Sequence, residues 1–183
     1  MKILITKPKG NVVFDTFFTN KAVNEIEKLG DVYYNPFDRE FERSELAEAL
    51  KDIDVVFTGW GTHTNDSELL KHADKLKIIA HTGGSAATLV SDELVKRNII
   101  LLTGNRIYAE SVAEGALCYI LTAQRKLIDN IEDMKSKGWV DKYNYTKGLY
   151  NKSVGIIGFG MIAENLVRML KPFNVRIKIY SSI

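Results

Sequence analysis

The sequence predicts an α/β fold built on a mostly parallel sheet, and three observations carry that prediction. Short β-compatible apolar runs alternate with helix-period segments from the N-terminus to about Thr103. The period then changes to one long helical pattern from about Ser111 to Lys135. Last, Ser153-Val154-Gly155-Ile156-Ile157-Gly158-Phe159-Gly160-Met161-Ile162-Ala163 reads as a buried strand, a glycine turn and the start of a helix. The turn is G-x-G-x-x-A, the form a dinucleotide-binding βαβ unit takes when Ala replaces the third Gly.

The elements follow in order. Lys2–Thr6 is apolar and reads as a first strand. Over Thr16–Leu29 the residues Phe17, Phe18, Ala22, Val23, Ile26 and Leu29 fall at helical spacing, with Gly30 as a stop. Asp31–Asn35 is a short strand before Pro36, and Ser44 caps a helix through Leu50. Asp54–Thr58 is a strand followed by the loop Gly59-Trp60-Gly61, and Ser67–His72 is a short helix. Leu76–Ala80 is a strand ending in His81-Thr82-Gly83-Gly84-Ser85. A helix over Ser91–Arg97 and a strand over Ile99–Leu102 complete the series. In the long helix Val112, Ala116, Leu117, Ile120, Leu121, Leu127, Ile128, Ile131 and Met134 recur with helical period, a length that suits an element crossing between domains. Lys137-Gly138-Trp139 ends it, and Lys142–Gly148 reads as a loop. After the strand Ser153–Ile157 come a helix over Met161–Lys171, stopped by Pro172, and a strand over Val175–Tyr180.

Composition narrows the function. The 183 residues are 45% apolar, 10% aromatic and 26% charged, enough to bury a core, and the net charge is +2. No basic stripe points to nucleic acid, and no segment approaches the roughly 18 apolar residues of a membrane span. A cytoplasmic protein is the expectation. Cys118 is the single cysteine and falls in an apolar helical pattern, so a buried, inert thiol is expected rather than a disulfide or a nucleophile. His63, His72 and His81 have no metal-ligand spacing with one another or with Cys118, so no metal site is expected.

Four segments, taken together and in order, resemble the D-isomer-specific 2-hydroxyacid dehydrogenases. They are Leu76–Ser85, Ser111-Val112-Ala113-Glu114, Lys137-Gly138-Trp139 and Asn151–Gly160. The resemblance covers nearly the whole chain but about the first half of a family member. It implies a flavodoxin-like substrate domain over 1–103. A crossover helix and the beginning of a Rossmann NAD(P)-binding domain then occupy 104–183. It further implies hydride transfer between a nicotinamide cofactor, NAD or NADP, and a small 2-hydroxy or 2-oxo acid, in an enzyme that dimerises. The family's Arg, Glu or Asp, and His catalytic set corresponds to positions beyond Ile183, so no catalytic residue is assigned. The 183 residues alone are expected to be inactive and to self-associate through open strands. The alternative is a non-catalytic fragment or an interaction module on the same scaffold.

Candidate binding residues fall into two groups. Gly158 permits the tight turn, Gly160 lets backbone approach a pyrophosphate, and Phe159, Met161 and Ile162 complete the cradle at a helix N-terminus. Ser181 stands where an NAD site usually has an acid on the ribose; it is either a hydroxyl partner or a plain loop residue. The resemblance implies that Gly84 and Ser85, beside Gly83, hold the substrate carboxylate through backbone amides. Here Gly83-Gly84-Ser85-Ala86-Ala87-Thr88 replaces the family's frequent Gly-x-Gly-x-Asp-Asn, and Thr103-Gly104-Asn105-Arg106 replaces Asn-Thr-Pro-Gly. Trp60 and Tyr108, after the third and fifth strands, are either the apolar wall of a small-acid pocket or packing under a neighbouring domain. His81 either points into the cleft or is structural. Glu114 is explained by the helix dipole.

Overall fold

The structure, a computed structural model, describes residues 1–138 and 145–182. Trp139, the Lys142–Asn144 part of the expected loop and Ile183 lie outside the described residues. The chain divides into two compact units, Met1–Asn105 and Arg106–Ile183.

The first unit is a five-stranded sheet in the order β2-β1-β3-β4-β5. The strands are β1 (Lys2–Pro8), β2 (Asp31–Asn35), β3 (Val55–Thr58), β4 (Ile78–His81) and β5 (Ile100–Thr103). All pair in parallel, with Ile3, Leu4 and Ile5 opposite Val55, Val56 and Phe57, and Val55–Thr58 opposite Ile78–His81. Parallel strands need crossovers, and these cover both faces. Leu4 and Val56 join Leu46 of α3 (Arg43–Ala49) and Leu94 of α4 (Asp92–Lys96) in one core. Ile3, Ile5 and Val55 join Phe14 of α1 (Val12–Phe17) and Ile26 of α2 (Asn20–Glu27) on the other face. The alternation of adjacent residues between two cores is the strand period of two made visible.

Local chemistry corrects several expected boundaries. The single helix expected over Thr16–Leu29 is two. Asn11 accepts from the Val13 N–H at 2.8 Å to start α1, and Thr19 Oγ1 accepts from Ala22 to start α2. A threonine between two apolar runs offered this second cap. Ser44 does not cap α3. Glu42 stands at the N-cap, and its N–H donates to Glu45 Oε2 at 2.8 Å in a capping box. Ser67–His72 forms hydrogen-bonded turns rather than a helix. Asp66 takes up the Glu68 and Leu69 amides as an N-cap would, and Leu70 bonds Asp66 O, but Lys71 and Ala73 then bond three residues back, so no helical ladder continues.

In the second unit, the expected long helix is broken in two: α5 (Asn105–Gln124) and α6 (Leu127–Lys137). Lys126 between them has φ 49°, left-handed backbone that ends a helix. The freed carbonyls are used, Gln124 O by the Lys147 amide at 2.8 Å and Arg125 O by Asn130 Nδ2 at 3.1 Å. Apolar pairs at 120/121 and 127/128 keep a seven-residue spacing across the break, so the sequence reads as continuous. Cys118 is exposed, not buried: only Ala109 and Ala113 of α5 are buried, and Cys118 lies on another side of the helix. β6 (Ser153–Ile157) and β7 (Arg176–Tyr180) pair in parallel around α7 (Met161–Leu170), whose Leu170 is fully buried. A short 3₁₀ turn, Lys171–Phe173, follows at Pro172. No helix among the described residues is long and apolar enough to cross a membrane.

β1 is buried along its length, whereas β6 alternates between half-buried and exposed. Hydrogen exchange monitored by NMR should therefore protect the amides of Ile3–Ile5 longer than those of Val154–Ile157. Equal protection would contradict the difference in burial.

Candidate functional site

The order β2-β1-β3 sends the chain to opposite sides of β1, so the loops leaving β1 and β3 part and leave a crevice at the strands' C-terminal edge. Three segments meet there: the end of β1 with Lys7, the Gly59-Trp60-Gly61 turn after β3, and the Thr82–Ser85 bend after β4.

Hydrogen bonds fix these segments to one another. The Thr82 amide and hydroxyl both donate to the Thr58 carbonyl, at 2.9 and 3.0 Å. The Gly104 amide donates to Gly83 O at 3.2 Å, tying in the turn after β5. His81 is buried, with Nδ1 3.0 Å from Thr58 Oγ1. A Cβ on Gly83 would sit 2.5 Å from His81 Nε2 and 3.0 Å from Trp60 Nε1, so only glycine fits. Trp60 is largely exposed and meets the edge of Phe17, ring centroids 5.7 Å apart at 72°. Gly84 is half-buried and Ser85 exposed, which leaves the bend open to a ligand. Consecutive amides in such a bend suit a carboxylate.

Sequence reasoning missed Lys7. Its ammonium, almost wholly buried, contacts Glu40 Oε1 at 2.6 Å and the Trp60 carbonyl. A lysine next to proline at the end of an apolar strand was the available signal. Burial first, and the Lys7 charge second, hold the His81 pKa below its ordinary value.

The second unit carries the glycine turn between β6 and α7. Gly158 has φ +83°, a conformation that favours glycine. Its amide donates to the Tyr180 carbonyl at 2.7 Å, joining the turn to the end of β7, where Ser181 follows. Gly160 is the N-cap of α7 with φ −98° and ψ −170°. A Cβ on either glycine would meet no protein atom within 4 Å. Internal packing therefore does not require Gly160 to be glycine, whereas a phosphate laid against the backbone would. The α7 amides ahead of Glu164 have no helical acceptor and point toward that open space. Phe159, Met161 and Ile162 are exposed around it. The residues present thus fit a dinucleotide pyrophosphate. Arg106, also not singled out from sequence, lines a cavity of about 660 Å³ with Phe159, Met161 and Arg168. Tyr108 lies on the first turns of α5 in this unit, and burial raises its pKa; Trp60 belongs to the first unit.

Residues 117–183 match the D-isomer specific 2-hydroxyacid dehydrogenase, NAD binding domain. The glyoxylate reductase of Pyrococcus furiosus is 28% identical over 182 residues, covering 96% of this chain and 53% of that protein. The D-3-phosphoglycerate dehydrogenase of Methanocaldococcus jannaschii is 27% identical over 177 residues, covering 97% of this chain and 31% of that protein. The human glyoxylate reductase/hydroxypyruvate reductase is 32% identical over 156 residues, covering 79% and 48%. The chain thus spans about half the length of the reductases it matches. Two solved structures share the fold. One is a protein of Pyrococcus horikoshii OT3 (TM-score 0.77, 24% identity, 100% of this chain and 53% of that one). The other is an acyclic imino acid reductase in complex with NADPH and D-Arg (TM-score 0.76, 19% identity, 96% and 54%).

Two predictions follow from the crowding at Gly83 and the burial of His81. Gly83→Ala should destabilise the first unit by about 1–3 kcal/mol, because the neighbouring rings must move; urea denaturation measures it, and a loss near zero would contradict the contact. His81 is lowered in the fold, so its contribution to stability is complete above the ordinary histidine range near about 6.5. It is lost as pH falls from there toward the folded value. The urea midpoint of the first unit should fall over that window, and His81→Gln should flatten the fall.

Proposed function

Because the chain belongs to the D-isomer-specific 2-hydroxyacid dehydrogenase family, we propose that it supplies the two anion-binding turns of an NAD(P)-dependent 2-hydroxyacid dehydrogenase. One turn holds the substrate and the other the cofactor. The observation that carries the reading is the glycine turn at Gly158–Ala163, open to a ligand and matched by the family's NAD binding domain.

In this reading residues 1–103 are a flavodoxin-like substrate domain, supported by the strand order 2-1-3-4-5. Residues 104–183 are the crossover helices and the beginning of a Rossmann domain. The amides of Gly83, Gly84 and Ser85 hold the carboxylate of a small 2-hydroxy or 2-oxo acid without bringing a competing charge. Trp60 contributes an apolar wall. The amides of Phe159, Gly160, Met161 and Ile162 take the pyrophosphate, where the α7 dipole favours negative charge. A bound nicotinamide supplies or accepts a hydride at its C4. Ser181 offers a hydroxyl to the adenosine ribose and, unlike an acid, does not repel a 2′-phosphate, so both NAD and NADP fit. The Arg and His that bind the carboxylate and move the proton in the family have no counterpart assigned here. Exposed Ile157, Ile179 and Tyr180 on β6 and β7 make self-association the chain's expected state, which light scattering reads directly.

Gly160→Val is the decisive variant. Its backbone angles are extended and its Cβ meets no protein atom, so the fold should be unaffected. NADH binding, followed by the enhancement of cofactor fluorescence, should weaken by about a hundredfold. Binding equal to that of the unaltered chain would overturn the assignment.

A further inference from the structure

Lys7 is a buried charge that the proposed binding roles leave unused. Its side chain is 3% exposed near the end of a strand whose Ile3, Leu4 and Ile5 are buried. An unpaired ammonium there would be costly, so its partners carry information. They come from two other parts of the chain. Glu40, from the segment before α3, accepts at 2.6 Å. The second acceptor is the carbonyl of Trp60 in the turn after β3. The stem passes so close beneath that turn that a Cβ on Gly59 would sit 2.5 Å from Lys7 Cε. The same point lies 3.1 Å from Thr82 Oγ1 in the bend after β4. Trp60 then reaches onward: its Nε1 is 3.0 Å from where a Cβ on Gly83 would be. Contacts thus run from the ammonium to the Trp60 carbonyl, and from the indole to Gly83.

We propose that Lys7 is a positioning residue: it clamps the Gly59–Gly61 turn and, through the Trp60 indole, fixes the Gly83–Ser85 bend in the conformation that binds a carboxylate. The proposal rests on the reading of that bend as the carboxylate site. The hydrogen-bonded strand ends hold Thr82 directly, but Gly84 and Ser85 lie beyond them in open backbone. On their neighbour Gly83, the side where a side chain would stand is occupied by His81 and Trp60. The position of the Trp60 ring therefore bears on where these amides point, and the carbonyl of Trp60 is held by a charge-assisted bond.

The test uses the full 183-residue chain, ¹⁵N-labelled, with glycolate as the probe. Amide shifts of Gly83, Gly84 and Ser85 are followed in the unaltered protein and in Lys7→Met, Lys7→Gln and Lys7→Arg. The unaltered protein should show saturable shifts at these amides. Lys7→Met should displace the Trp60 indole and Gly83 resonances before glycolate is added and weaken glycolate binding by about tenfold. Lys7→Gln should act in the same direction, and it decides the matter if the Met variant does not fold. Lys7→Arg, which keeps charge and donors, should stay closer to the unaltered protein. The His81 ring gives a readout without ligand. Lys7 is the charge that lowers its titration beyond burial, so His81 should titrate higher in the Met and Gln variants. If Lys7 were merely stabilising, its replacement would lower the unfolding midpoint and leave glycolate affinity unchanged in the folded variants. Unchanged affinity, or unmoved Gly83 and Trp60 resonances, in either folded variant would overturn the proposal. Failure of the unaltered protein to bind glycolate at these amides would instead overturn the carboxylate reading, and this role of Lys7 with it.

Discussion

Burial of β1 on both faces is the constraint on which the first unit depends. Ile3 and Ile5 point into one core and Leu4 into the other, and all three are almost inaccessible to solvent. A strand buried on both sides must be paired on both edges, since a free backbone edge inside a protein would leave polar groups unsatisfied. β2 and β3 provide that pairing. Because the pairing is parallel, every connection crosses over a face, and all strands end at the same edge of the sheet. The crevice between the ends of β1 and β3, and Lys7 in it, are consequences of where β1 sits.

Both candidate sites use the same physical device. A bend or turn after a parallel strand presents successive amides, and amides can meet an anion at no cost in buried like charge. The two turns differ in what requires glycine. At Gly83 the requirement is internal, since His81 and Trp60 occupy the space of a side chain. At Gly160 the protein leaves the space empty, so nothing within the polypeptide demands glycine for want of room. Gly158 adds a backbone requirement through its positive φ. That contrast separates a glycine enforced by packing from one that packing leaves free to vary.

The strands were legible in the sequence because their signal is local. Val55–Thr58, Ile78–His81 and Ser153–Ile157 are apolar runs bounded by turn residues, and each lies within a residue or two of its expected limits. Helix breaks were less legible. Lys126 interrupts α5 and α6 without disturbing the apolar spacing, and Thr19 divides two helices whose apolar faces run on. The glycine turn could be read from spacing alone because its glycines and the small residue after them fall within six consecutive positions. The network around Lys7 could not, because Glu40, Trp60 and His81 come together only through strand order. The exposed face of α5, with Cys118, was hidden for a related reason: helical period marks an apolar stripe but not what covers it.

The central claim is that the turn at Gly158–Ala163 receives a dinucleotide while the bend at Gly83–Ser85 serves a different ligand. The most direct measurement is residue-resolved amide mapping of the ¹⁵N-labelled chain as NADH is added, without any carboxylic acid. The account predicts saturable shifts at Gly158, Gly160, Ile162 and Ser181, with Gly83 and Gly84 unmoved. Shifts confined to Gly83 and Gly84, or none at saturating cofactor, would contradict it.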